Sequence, residues 1–404
     1  MLDVKRCDYL IIGAGVIGLA IANEILRTKP NAKVIVADKE KDSVQHGSGR
    51  NSGVIHAGFY YPADSLKAKL TAQGNQELKA FCNQHDIPLN ECGKLVVAQS
   101  DADIPGVHEL ARRAGTNGVD VTIVDEKEMA EIEPNAQTCE VALYSPNTAS
   151  ADPAQVTAKM AELFIQSGGE ILYNAGFNRL MANKRILLGD ERREVVIEAG
   201  KVINCAGLYA DKIAKTFGFA QGHIIIPFKG IYLKYQGHDK PIKTNIYPVP
   251  NLKNPFLGVH YTVTVDNQIK IGPTAIPAFW RENYRGMSNF NWDEMLEILG
   301  YETRLFASNH FNFRDLALEE MKKYQMKHFR SLAGRMVKDI DLSRFSQWTK
   351  PGIRAQLLNK KTMKLEQDFM IEADQDSVHI LNAVSPAWTS SLPFARHVVE
   401  NYIS

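Results

Sequence analysis

The sequence predicts a mixed α/β (α+β) fold: a Rossmann-like nucleotide-binding domain and a second domain built on a largely antiparallel β-sheet. Three observations carry that prediction. Gly13, Gly15 and Gly18 fall where a short apolar run, 8–12, gives way to an apolar helical run, 16–27. Asp38 ends a second apolar run, 33–37, twenty positions after Gly18. Much later, 223–235 and 256–265 are rich in β-branched and aromatic residues, and Asp266 with Asn267 offers a turn into 268–272, as an antiparallel sheet requires.

In the first domain each marked residue has a physical task. Gly13 and Gly15 remove Cβ atoms where the backbone must curl past a pyrophosphate. Gly18 lets the helix that begins at Val16 pack close to the sheet, and the helix N-terminus faces the phosphates. Asp38, with Lys39 beside it, can accept hydrogen bonds from ribose hydroxyls. No arginine follows directly to welcome a 2′-phosphate, so FAD or NAD fits better than NADP.

Composition narrows the function classes. A chain of 404 residues with 45% hydrophobic and 23% charged residues reads as globular, with room for two domains. Basic and acidic residues number 47 and 46, so no global field favours nucleic acid, and small-molecule chemistry is the expectation. Cys7, Cys82, Cys92, Cys139 and Cys205 are odd in number and lack CxxC spacing, which predicts neither a disulfide framework nor a metal site. A reducing, cytoplasmic setting follows from that reading. Lys5 and Arg6 before an uncharged run superficially resemble a signal peptide, but the spaced glycines favour the nucleotide unit. No run is long and apolar enough for a transmembrane helix.

Between the two signatures, 66–85 has helical apolar spacing, 93–98 reads as a strand, 100–118 as a helix and 119–123 as an alternating strand. Asp152 before Pro153 starts a helix running to about Gly168. The run 201–207 is a buried strand ending in a turn at Ala206 and Gly207, with a helix over 208–217. From 292 to 345 the pattern is mostly helical, and its later part carries Lys322, Lys323, Lys327, Arg330, Arg335 and Lys338. A basic amphipathic helix lies on anionic membranes. Glu319, Glu320, Asp339 and Asp341 dilute that charge and favour an ordinary solvated face. Ser385 and Pro386, followed by Ala387, read as the capped start of a final helix over 386–401. The resulting partition is 1–84, 145–222 and 352–404 for nucleotide binding, with 85–144 and 223–351 as the substrate domain.

Six motifs occur in order: SGRNSGVIHAGFYYP, NCAGLYADKIA, PFKG, YPVPNLKNPFLGVHYT, GIRAQ and HILNAVSPAWTSSL. Together with the nucleotide unit they resemble the L-2-hydroxyglutarate oxidase/dehydrogenase family, within the D-amino-acid-oxidase-like FAD enzymes. The resemblance spans nearly the whole chain. It implies FAD as the cofactor, a 2-hydroxy acid as the substrate, and a quinone or oxygen as the electron acceptor, with peripheral contact on the inner face of the membrane as an accompanying expectation. The loop 48–58 is poor in apolar residues, and its N–H groups and small side chains suit a wrap around pyrophosphate and flavin. The resemblance brings Ser48, Asn51, Ser52, Gly53 and His56 to the cofactor, and aims the N-terminus of the last helix, at Ser385 to Ala387, at the flavin.

Oxidising a hydroxy acid requires a base within hydrogen-bond reach of the hydroxyl while the α-hydrogen leaves as hydride. The candidates are His260 and His56, each of which also has an ordinary reading as a hydrogen-bonded structural histidine. By analogy with other members of the superfamily Arg354, in an otherwise apolar strand where an unpaired charge is costly, is the preferred carboxylate ligand, and its fork matches a carboxylate. Lys229 is the second cation. Here the chain departs from the family pattern, PFRGEYY being replaced by PFKGIYL, which puts recognition of the distal carboxylate in question. Tyr247 and Tyr261 are candidate hydroxyl donors, with aromatic packing as their default. The competing readings are an amine or amino-acid oxidase, a quinone-linked glycerol-3-phosphate dehydrogenase, and a flavin-binding protein without turnover.

Overall fold

A computed structural model describes residues 4–190, 193–250 and 256–403. The chain forms two compact units, one of Met1–Asn51, Pro153–Pro227 and Arg354–Ser404, the other of Ser52–Asp152 and Phe228–Ile353. The segments 52–84 and 145–152, grouped above with nucleotide binding, lie in the second unit. The cause is strand pairing: Ala149–Ala151 bonds antiparallel to both Val54–Ile55 and Leu89–Asn90 in one small sheet.

In the first unit the strand Val4–Ile12 pairs in parallel with Val34–Ala37 on one side and Arg193–Asn204 on the other. Arg193–Asn204 also pairs with Arg185–Asp190 and, near its end, with Ser377–Asn382. Leu10, Ile12, Ile35, Ala37, Ile197 and Val202 form one buried cluster. Such strands are covered on both faces, which is why they read as continuous apolar runs rather than alternating ones. The helix Val16–Thr28 buries Leu19, Ile21, Ile25 and Leu26.

The last helix is Ser391–Tyr402, not 386–401. Ser385 and Pro386 are joined by a cis bond and lie in consecutive turns, with Ala387 N–H bonded to Val384 O and Ser390 N–H to Pro386 O. The proline of the first helical turn is Pro393 instead, a place where its missing N–H costs nothing.

The second unit is built on an eight-stranded sheet in the order Phe345–Trp348, Leu233–Tyr235, Ile269–Gly272, His260–Val263, Asn245–Pro248, Lys94–Val97, Val141–Ser145 and Thr122–Asp125. Its pairings are antiparallel except that Asn245–Pro248 runs parallel to Lys94–Val97. The strand read at 119–123 is displaced to Thr122–Asp125, because Gly118 and Val119 close the preceding helix with bonds to Ala114 and Gly115. Side chains alternate across this sheet. Leu95, Val97, Ile246, Tyr261 and Ile271 pack on one face against Phe329 and Ala333. Val96 and Tyr247 pack on the other with Phe59, Tyr60, Val107 and Leu110.

Candidate active site

The glycine turn of the first unit leaves no room for side chains. Gly13 has φ +109, and a Cβ there would stand 2.5 Å from Cys205 O. At Gly18 a Cβ would stand 1.9 Å from Gly13 O, so the helix can approach the turn only as glycine. Ser48 Oγ accepts from Val16 N–H at 2.9 Å, next to Gly15, which ties the loop at 48 to the start of the helix. Asp38 Oδ2 accepts from Ala14 N–H at 2.7 Å and Oδ1 from Glu40 N–H at 2.9 Å. Burial raises the Asp38 pKa, against the pull of those two bonds. Lys39 pairs with Glu40 at 2.9 Å, and its amine stands over the Tyr209 ring.

A dinucleotide fits this cradle. The helix carries no acidic residue in its first turn, and Gly15 provides no side-chain cap, so the N-terminal field favours an anion. Asp38 stands at the strand end where ribose hydroxyls are held. The turn at Ala206 and Gly207 follows Cys205, whose N–H bonds Ile12 O, and Asn204 Oδ1 accepts from Ala206 N–H at 3.2 Å. Asn51 Nδ2 donates to Gly47 O and Ser48 O, folding the loop back on itself. In the second unit, Ser52 Oγ accepts from Val54 N–H at 3.4 Å, and Gly53 has φ +76.

Four side chains of the second unit come together: His56, Lys94, Tyr247 and His260. Tyr247 and His260 lie on neighbouring strands and stack, with ring centroids 3.8 Å apart and 20° between planes. His260 Nδ1 is 2.8 Å from Gly258 O. A carbonyl oxygen only accepts, so Nδ1 carries the hydrogen, and in the neutral imidazole Nε2 is the accepting nitrogen. His56 follows the strand Val54–Ile55, and Asn75 Nδ2 holds this backbone by bonds to Ile55 O, His56 O and Asn147 O.

Lys94 is the residue that sequence reasoning missed. It is fully buried, its Nζ is 3.3 Å from His56 Nδ1, and it lies 4.4 Å from the Tyr247 ring centroid. The available signal was a lysine heading a strand otherwise made of Leu95, Val96 and Val97. Burial brings its pKa down to about 7. His56, deep among protein atoms although its ring keeps some exposure, is pushed well below the usual histidine range by burial, then by Lys94 and His260.

Tyr261 separates from these four. Tyr261 adjoins His260 on one strand and therefore faces the opposite side, fully buried in the core beside Phe345. It is a packing residue, a correction to its reading as a substrate donor. Lys229 is buried, and its amine donates to Asn283 Oδ1 at 3.3 Å. Arg354 opens the last segment of the first unit, on the strand Gly352–Asn359. Residues 251–255 of the motif that begins at Tyr247 lie outside the described residues.

Comparison with known proteins bears on family and fold. The chain is 37% identical over 395 residues to L-2-hydroxyglutarate dehydrogenase of Escherichia coli (strain K12), covering 97% of this chain and 92% of that one. It is 33% identical to the mitochondrial L-2-hydroxyglutarate dehydrogenase of Homo sapiens, covering 97% and 88%. Among solved structures, FAD-bound L-alpha-glycerophosphate oxidase from Mycoplasma pneumoniae shares the fold with a TM-score of 0.74 at 21% identity, over 98% of this chain and 94% of that one. Glycine oxidase from Geobacillus kaustophilus does so with a TM-score of 0.70 at 16% identity, again over 98% and 94%. With the DAO profile, FAD dependent oxidoreductase, matching residues 8–401, the chain belongs to that family of FAD-dependent enzymes.

Proposed function

We propose that this enzyme oxidises L-2-hydroxyglutarate to 2-oxoglutarate. The observation that carries the mechanism is the imidazole of His260. Its Nδ1–H is committed to Gly258 O at 2.8 Å, so Nε2 is the nitrogen that takes the hydroxyl proton. Stacking on Tyr247 holds the ring plane. Bound FAD supplies the acceptor for the hydride that leaves the α-carbon. Arg354 and Lys229 are the cations proposed for the two carboxylates, Arg354 as a fork and Lys229 as a point charge. The relatives' names support this substrate over the amine alternatives. A turnover panel of L- and D-2-hydroxyglutarate, glycine, sarcosine, D-amino acids and glycerol 3-phosphate tests it. The L-hydroxy acid is the substrate in this reading, and activity confined to an amine defeats it.

For electron transfer we propose a quinone reached at a membrane surface. Among the described residues no helix is long and apolar enough to cross a membrane. The second unit does expose Trp292 and Leu296 on the helix Trp292–Ser308, and Leu318 and Met321 on Phe313–Lys322. These, rather than the basic run at 322–338, are the surface proposed for that contact. Lys323 is buried against Glu320, and Arg330 Nε donates to Phe345 O, so that run is partly spent on internal bonds.

A further inference from the structure

Among the described residues Lys94 has no counter-charge: no carboxylate pairs with its amine, and the rings of Phe59, Tyr60 and Tyr247 surround it at 5.6, 5.1 and 4.4 Å from their centroids. Aromatic faces attract a cation but leave its N–H donors without a strong acceptor. The polar atom within hydrogen-bond reach is His56 Nδ1. Cys92 is the other titratable group whose charge acts on the amine, and burial keeps its thiol protonated by raising its pKa.

An ammonium can only donate to Nδ1, and a neutral amine can donate as well. The reverse bond, from Nδ1–H to nitrogen, requires a neutral amine and turns its hydrogens toward ring faces. The donor arrangement is therefore open to both charge states of Lys94. We propose that Lys94 is a positioning residue that donates to His56 Nδ1 and thereby fixes the hydrogen of His56 on Nε2, making His56 a hydrogen-bond donor to the substrate oxygen.

The two histidines then hold opposite tautomers. Gly258 O places the hydrogen of His260 on Nδ1, and Lys94 places that of His56 on Nε2. One ring accepts the hydroxyl proton while the other orients the oxygen, and the low basicity of His56 keeps it from competing as a base. This rests on the reading of His260 as the base.

The test is a long-range proton–nitrogen correlation spectrum of the FAD-loaded protein carrying 15N-histidine, with the two rings assigned from His56→Asn and His260→Asn. The expected wild-type pattern is hydrogen on Nε2 for His56 and on Nδ1 for His260. Lys94→Met is expected to move the His56 signals toward the Nδ1–H form and leave those of His260 in place. Lys94→Gln, which retains a donor, is expected to keep the wild-type tautomer. Hydrogen on Nδ1 of His56 in the wild type overturns the proposal, and so does a Lys94→Met spectrum with unmoved His56 signals. If Lys94→Met does not fold, the wild-type spectrum decides alone. No turnover enters this readout, so its failure is distinguishable from an error in the substrate.

Discussion

At the scale of single residues, His260 differs from His56 in which ring nitrogen its neighbour engages. The backbone carbonyl of Gly258 cannot donate, so it places the hydrogen of His260 on Nδ1. His260→Asn removes the basic nitrogen while keeping a polar side chain. It is expected to lower kcat by about 10² to 10⁴-fold, with flavin absorbance and fold unchanged, as stopped-flow reduction would measure. A loss below tenfold would remove His260 from the base role. The base candidates were legible because histidine chemistry is written in residue type. Lys94 was not, since a lysine is ordinarily solvated and nothing in its own strand reveals that three aromatic rings close over it. The default packing reading of Tyr261 has a simple physical reason: neighbours on one strand face opposite ways, so His260 and Tyr261 point to opposite faces of the sheet.

At the scale of elements, the helix Trp292–Ser308 buries Glu294, Ile298, Glu302 and Leu305 along one stripe. Glu294 has work there, accepting from Arg281 N–H at 3.2 Å. Glu302 Oε1 has no hydrogen-bond partner among the described residues, and burial raises its pKa from 4.5 to about 8. A carboxyl with a raised folded-state pKa stabilises the fold fully below its unfolded value, and that contribution is lost as pH rises through the folded value. Wild-type stability is thus expected to fall between about pH 5 and pH 8 relative to Glu302→Gln, by on the order of 3 to 4 kcal/mol. Denaturant melts across that range check it; parallel pH profiles for the two proteins would contradict it. The long, strongly patterned elements were the legible ones: the strand, helix and strand around the glycine turn, and the helix at Leu66–Gln84. The last helix was misplaced because Ser385 before Pro386 and Ser391 before Pro393 offer two proline starts, and only the tertiary turns at Val384–Ala387 and Pro386–Ser390 select the second.

For the molecule as a whole, the partition into units was less legible than either sheet, because the pairing of Ala149–Ala151 with Val54–Ile55 joins residues far apart in sequence. Surface chemistry is likewise a property of the assembled second unit, where Trp292, Leu296, Leu318 and Met321 are all exposed. Sedimentation with vesicles containing anionic lipid is expected to carry the protein down, and Trp292→Glu with Leu296→Glu to abolish this; equal recovery in the supernatant with and without vesicles would contradict the membrane proposal. Substrate identity is read from the flavin itself by anaerobic titration of the FAD-loaded enzyme with L- and D-2-hydroxyglutarate. The L-enantiomer is expected to bleach the flavin absorbance and the D-enantiomer to leave it unchanged. An unbleached flavin with the L-enantiomer, alongside bleaching by glycine or another amine, would contradict that expectation.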